Sequence, residues 1–128
     1  MKVKEVSILI VAYDVEIRQF YKNILTSQGY SSQGYAHLSE IFNLVANSPP
    51  DMIIILYEGA SDYEETQDFL SNIHQMYNEN NRPLILLLWD SHVYVQQLIP
   101  FVDEVEQFLI TGDDFIKIVN SLMQKRTL

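Results

Sequence analysis

Carboxylates at Asp14, Asp51 and Glu58 and imidazoles at His37, His74 and His92 are the side chains with chemistry to offer, but their spacing assembles no site by itself. The three histidines lie far apart, none with a partner at ligand spacing, so a zinc site is not expected, and His74 beside Ile73 reads as a solvated or half-buried imidazole. Asp14 is placed to cap a helix, and Asp51 to sit in a turn before a strand. Glu58 could ligate a metal or hold a permanent negative charge near a cleft, although a solvated surface position is its ordinary role. No serine is framed as a nucleophile elbow, and the four glycines form no phosphate-cradling loop. The more telling positions are the ends of three apolar runs, Ile8 to Tyr13, Met52 to Tyr57 and Leu84 to Trp89. The carboxyl ends of strands in an open parallel sheet are where ligands and catalytic groups gather. Here those ends offer Ala12, Tyr13, Leu56, Leu88 and Trp89, an apolar set that fits a binding module built on a scaffold enzymes also use.

The elements that must position these residues follow two alternating patterns. Short uninterrupted apolar runs suit strands buried on both faces, and segments with apolar residues every three or four positions suit the helices that cover them. Strands are predicted at Val6 to Val11, at Ser31 to Tyr35 as a less apolar edge, at Met52 to Leu56, at Leu84 to Leu88 and at Phe108 to Thr111. Between them, Ile17, Phe20, Tyr21, Ile24 and Leu25 mark a helix that stops near Gly29. Leu38, Ile41, Phe42, Val45 and Ala46 mark a second, closed by Pro49 and Pro50, and Phe69, Leu70, Ile73, Met76 and Tyr77 a third. A fourth is weakly periodic through Val93, Val95, Leu98 and Ile99 and must end or kink at Pro100; a fifth, carrying Phe115, Ile116, Val119, Leu122 and Met123, would be capped by Asp113 or Asp114. Five strands and five helices in alternation predict an α/β three-layer sandwich, with a five-stranded parallel sheet of flavodoxin type.

At 128 residues the chain makes one domain, residues 1–128, with no repeat or linker. Seventeen acidic against eight basic side chains give a net charge of −9, which repels nucleic-acid phosphates and anionic membranes. The absence of cysteine removes disulfides and thiolate sites, and no run approaches the roughly 18–20 apolar residues of a membrane span. A cytoplasmic protein is expected, with no cofactor, no metal, no nucleic-acid partner and no membrane contact.

Read in order, Ile8-Leu9-Ile10-Val11, Asp14-Val15-Glu16-Ile17-Arg18, Gly29-Tyr30, Pro50-Asp51-Met52-Ile53-Ile54-Ile55 and Arg82-Pro83-Leu84-Ile85-Leu86-Leu87 resemble the receiver domain of bacterial response regulators. In that family two acidic residues end the first strand and hold magnesium, and an aspartate ending the third strand accepts a phosphoryl group. A threonine or serine ends the fourth strand, and a lysine the fifth. The resemblance carries the acidic pair onto Ala12 and Tyr13, the acceptor onto Leu56, the hydroxyl onto Leu88 and the lysine onto Thr111, with Phe108 as a switch-like aromatic. None of the five chemical positions matches. Phosphoryl transfer to a carboxylate depends on a divalent ion and a nearby cation, and leucine has no oxygen to accept the group. The resemblance therefore implies a pseudo-receiver: not an enzyme, and in two-component or phosphorelay signalling a phosphorylation-independent interaction module.

Trp89, His92, Val93, Tyr94 and Phe101 are too many large or apolar residues for a short fourth helix to bury, and they form the candidate interaction surface. The expected partner is a protein, such as a signalling kinase or another regulator, or a second copy docking through the fourth helix and fifth strand. An alternative is a sensor in which Ala12, Tyr13, Leu56, Leu88 and Thr111 enclose a small hydrophobic ligand such as a quinone, in the manner of some clock-input pseudo-receivers. Asp62, Glu64, Glu65 and Asp68 are expected to be a solvated, dipole-favoured start of the third helix, with use by a basic patch on a partner as the alternative.

Overall fold

A computed structural model of the chain describes residues 6–108 and 110–127. Its order is β1 (Ser7–Val11), α1 (Val15–Ser27), β2 (Ser31–Tyr35), α2 (Leu38–Asn47), β3 (Met52–Tyr57), α3 (Ala60–Met76), β4 (Leu84–Trp89), α4 (Val95–Leu98), a 3-10 turn (Ile99–Phe101), β5 (Glu104–Gln107) and α5 (Gly112–Thr127). All strands pair in parallel in the order β2-β1-β3-β4-β5, which is the flavodoxin-type sandwich the alternation predicts.

Period two along the strands divides the core into halves. Leu9, Val11, Ile53, Ile55, Tyr57, Ile85 and Leu87 pack under α2, α3 and α4; Ile8, Ile10, Met52, Ile54, Leu84, Leu86 and Leu88 pack under α1 and α5. Both faces of β1, β3 and β4 are thus covered, which is why those strands read as unbroken apolar runs.

Local chemistry sets the helix ends. Asp14 caps α1, its carboxylate accepting from the N–H of Glu16 at 2.8 Å and of Ile17 at 3.3 Å. Gly29 takes φ +85° just beyond α1, a conformation in which other residues are strained. Asp51 fastens the start of β3 to β1, accepting the Ser7 N–H at 2.8 Å.

Several details depart from the sequence expectation, among them that Asp113 and Asp114 lie inside the first turn of α5 instead of capping it. Phe20 and Met76, assigned to apolar helix faces, are exposed at 51% and 41%. The fourth helix is reduced to one turn that passes into the 3-10 turn at Pro100. The largest difference is β5, which occupies Glu104–Gln107 instead of Phe108 to Thr111 (Leu109 lies outside the described residues). Asp103 fixes this register: its N–H donates to the Ile85 carbonyl and its carboxylate accepts the Ile85 N–H at 2.8 Å, so pairing begins one residue later. As an edge strand, β5 needs little apolar surface, and Val105 supplies it. Phe108 and Ile110 are instead used on the connection to α5, against the core half under α1 and α5.

Candidate functional site

The carboxyl edge of the sheet is built from the ends of β1, β3, β4 and β5. Leu56 and Leu88 are side by side in register, on the face covered by α1 and α5; Leu88 is fully buried and Leu56 half-buried. Ala12, just past β1, is buried, whereas the Tyr13 ring swings out to 69% exposure and meets the His37 ring at 5.7 Å. Thr111 does not join them. It precedes α5, where its hydroxyl accepts the Asp114 N–H at 3.1 Å, and so acts as a helix cap. Phe108 likewise lies beyond the strand: its N–H donates to the Trp89 carbonyl at 2.8 Å and its carbonyl accepts the Tyr21 hydroxyl at 2.9 Å. The observed register thus brings Gln107 and Phe108, not Thr111, to the end of the fifth strand. Neither supplies a cation.

The cleft at this edge has a volume of only about 90 Å³ and is not the apolar chamber the strand ends suggest. Ala12, Tyr13 and Leu56 line it beside Glu58, Asp62, Glu65 and Thr66, while Leu88 and Thr111 are absent from its wall. Small-molecule pockets typically measure about 300–1,000 Å³ and are mostly apolar, so a ring-sized hydrophobic ligand does not fit here.

Acidic charge dominates the surroundings. The Glu58 carboxyl is held above the usual carboxylate range, first by burial and then by repulsion from Asp62, Asp90 and Asp14. Asp62 is drawn in by the Glu58 N–H, which donates to it at 3.0 Å. From the sequence Asp62 is a helix-start residue or part of an acidic stretch for a basic partner, not a neighbour of Glu58; its spacing of four residues after Glu58 is the available signal.

Arg18, also missed, reaches back from α1 to donate to the Ala12 carbonyl at 2.7 Å and the Tyr13 carbonyl at 3.0 Å. Gly34 makes room for it, since a Cβ there would stand 3.3 Å from Arg18 Cδ. The guanidinium thus closes the end of β1 with hydrogen bonds to two successive carbonyls.

A magnesium ion needs several hard oxygen ligands in octahedral array. Ala12, Tyr13 and Leu56 offer no carboxylate, and no group of three or more His, Asp or Glu residues placed to hold a metal exists among the described residues. The donor set does not fit that ion.

The candidate interaction surface divides in two. His92, Val93 and Tyr94 are exposed, joined by Ile99. Trp89 and Phe101 turn inward, half-buried against the core half under α2 to α4. Trp89 meets His92 edge-on, and Phe101 packs edge-on to His74, whose Nε2 lies 3.1 Å from the Phe101 carbonyl. Phe101 therefore anchors the 3-10 turn to α3 and is not displayed.

By sequence, the chain matches no family model and no curated protein. By structure, it is similar to receiver domains. A signal receiver domain of a histidine kinase from Clostridium thermocellum superposes with a TM-score of 0.76 at 16% identity, covering 93% of this chain and 98% of that one. A response regulator protein from Burkholderia multivorans gives 0.73 at 15% identity, with 94% and 96% covered. NtrX from Brucella abortus gives 0.76 at 12% identity over 97% of this chain, which spans 27% of that longer protein. The fold is that of the receiver domains. No helix among the described residues is long and apolar enough to cross a membrane.

Proposed function

We propose that this chain is a degenerate receiver that works in two-component signalling as a protein-docking module, with no phosphoryl transfer and no catalytic step of its own. The observation that carries the reading is Leu56 at the end of β3, beside buried Leu88 and with buried Ala12 at the end of β1. The acceptor oxygen, the hydroxyl and the first metal carboxylate of a working receiver are all replaced by hydrocarbon at these positions. Burying Leu88 in the core also stabilises the fold, so the substitution serves packing while it removes chemistry. Regulation would come through partner binding or protein abundance, in the cytoplasm, and the partner would be a kinase or a second regulator.

The acidic lining of the edge cleft also supports this reading. Glu58, Asp62 and Glu65 would repel a phosphoryl donor. The direct test is to add magnesium and beryllofluoride while following backbone amide spectra. Unchanged resonances at Tyr13, Leu56 and Glu58 are the expected result. Saturable shifts clustered at those residues would overturn the proposal.

A further inference from the structure

Three of the chain's eight basic side chains, Arg82, Lys125 and Arg126, line one hollow with a volume of about 230 Å³. Leu84, which begins β4, and Asp103, which directly precedes β5, also line it, so the hollow lies at the amino edge of the sheet, opposite the edge described above. Arg82 ends the connection between α3 and β4, where its N–H donates to the Asn78 carbonyl at 2.9 Å. Lys125 and Arg126 belong to the last turn of α5, three and four residues after buried Leu122, so one helix face carries both cations to the rim of the core. In a chain of net charge −9, positive charge gathered from two separate elements runs against the overall sign.

The wall leaves these cations largely unpaired. The Arg82 side chain is only 16% exposed, yet its guanidinium meets one partner, Asp103, at 3.5 Å, longer than an ordinary hydrogen bond. Asp103 gives its other carboxylate oxygen to the Ile85 N–H at 2.8 Å and so is committed to the register of β5. Arg82 Nε is buried with no hydrogen-bond partner among the described residues. One long bond against five donors leaves this arginine short of acceptors. Lys125 and Arg126 form no ion pair with the carboxylates of the wall, Asp103 and Glu79. Their charge suits the last turn of α5, but Arg82 comes from another element and has no helix end to serve.

We propose that this hollow binds the phosphate group of a small molecule, with the Arg82 and Arg126 guanidinium groups on its oxygens and the Lys125 ammonium adding charge. Three cations match a dianion better than a single carboxylate, and the arginine fork suits phosphate oxygens. About 230 Å³ is below the roughly 300–1,000 Å³ of drug-sized pockets, which suits a phosphate on a short carbon chain. Nucleic acids and anionic membranes also carry phosphate, but the acidic remainder of the chain repels them. The ligand class is therefore free phosphate or a short phosphate ester. This binding function is separate from the docking reading and lies at the other end of the sheet.

The test is amide-detected titration of the whole chain, at constant ionic strength, with inorganic phosphate, with glycerol 3-phosphate and with chloride as the control. Saturable shifts at Asn80, Arg82, Asp103, Lys125 and Arg126 are expected with the two phosphates and none with chloride. Tighter binding of glycerol 3-phosphate identifies an ester as the ligand, and equal or tighter binding of inorganic phosphate identifies the free anion. Arg126→Gln should weaken binding about tenfold while the fold holds, because Arg126 has no ion-pair partner to lose. Lys125→Gln should also weaken it, and supplies the answer if Arg126→Gln does not fold. No saturation, the same shifts with chloride, or titrations unchanged in both variants would overturn the site. A phosphoserine peptide that binds where both small probes fail would assign the hollow to a modified protein and overturn the small-molecule proposal.

Discussion

Replacing Tyr57 with phenylalanine isolates one bond that joins the end of β3 to the loop before α4. The Tyr57 ring is fully buried, so Tyr57→Phe keeps the packing and removes only the hydroxyl that donates to the Val93 carbonyl at 2.6 Å. Val93 is 41% exposed, which lets water take over its carbonyl, so the variant loses a net hydrogen bond without leaving a buried acceptor unpaired. That sets the cost at about 1 kcal/mol, not the about 3 kcal/mol of an orphaned polar group. For a domain of this size the melting temperature should fall by about 4 °C. Thermal and urea unfolding measure the loss, and amide hydrogen exchange locates it. Faster exchange is expected at Val95 and Gln97, whose N–H groups bond within the loop and α4, with no change at Asp90, which donates to the Tyr57 carbonyl. Burial keeps the Tyr57 phenol above its ordinary range, helped by Asp62, Tyr63 and Tyr94, so it remains a donor at neutral pH. A loss below about 0.3 kcal/mol, or exchange unchanged along the loop, would refute the tether; a loss above about 3 kcal/mol would refute the claim that water replaces the bond.

Two further perturbations probe the same edge. Gly59 has φ +137°, and an added Cβ would stand 3.2 Å from Ser91 Cβ, so Gly59→Ala should destabilise the chain by more than about 1 kcal/mol in denaturant unfolding. Adding Ser91→Gly should recover only part of that loss, because the backbone strain remains; full recovery would show that the collision alone matters. Glu58 has a carboxyl raised in the folded state, so its ionisation opposes folding: the stability it allows is complete below the unfolded pKa and is lost as pH rises through the folded one. Glu58→Gln should therefore be more stable than the parent at pH 7, with the difference vanishing in acid. A parent equally or more stable at pH 7 would contradict the repulsion assigned to Asp62, Asp90 and Asp14.

The sequence by itself determined the sandwich and the side-chain types at the ends of its strands. Strands β1, β3 and β4 are buried on both faces, so their runs could be read without knowing their neighbours. Side-chain type is a local property, and no packing arrangement can give Ala12 or Leu56 a carboxylate. Asp14 as a cap was legible for the same reason, since the bonds it makes span three residues.

Tertiary structure decided the rest. The apolar stretch at Phe108 and Ile110 looked like a strand, but Asp103 sets the register with β4, so Glu104–Gln107 pairs while those side chains pack under the helices. Trp89 and Phe101, counted as surface, turn inward because their environment depends on α3 and on the collapse of α4 to one turn. The cleft that looked apolar along the strands became acidic through Asp62 and Glu65 from α3. Charge and exposure at a sheet edge depend on what neighbouring elements bring across space, and that is fixed only when register and helix length are fixed.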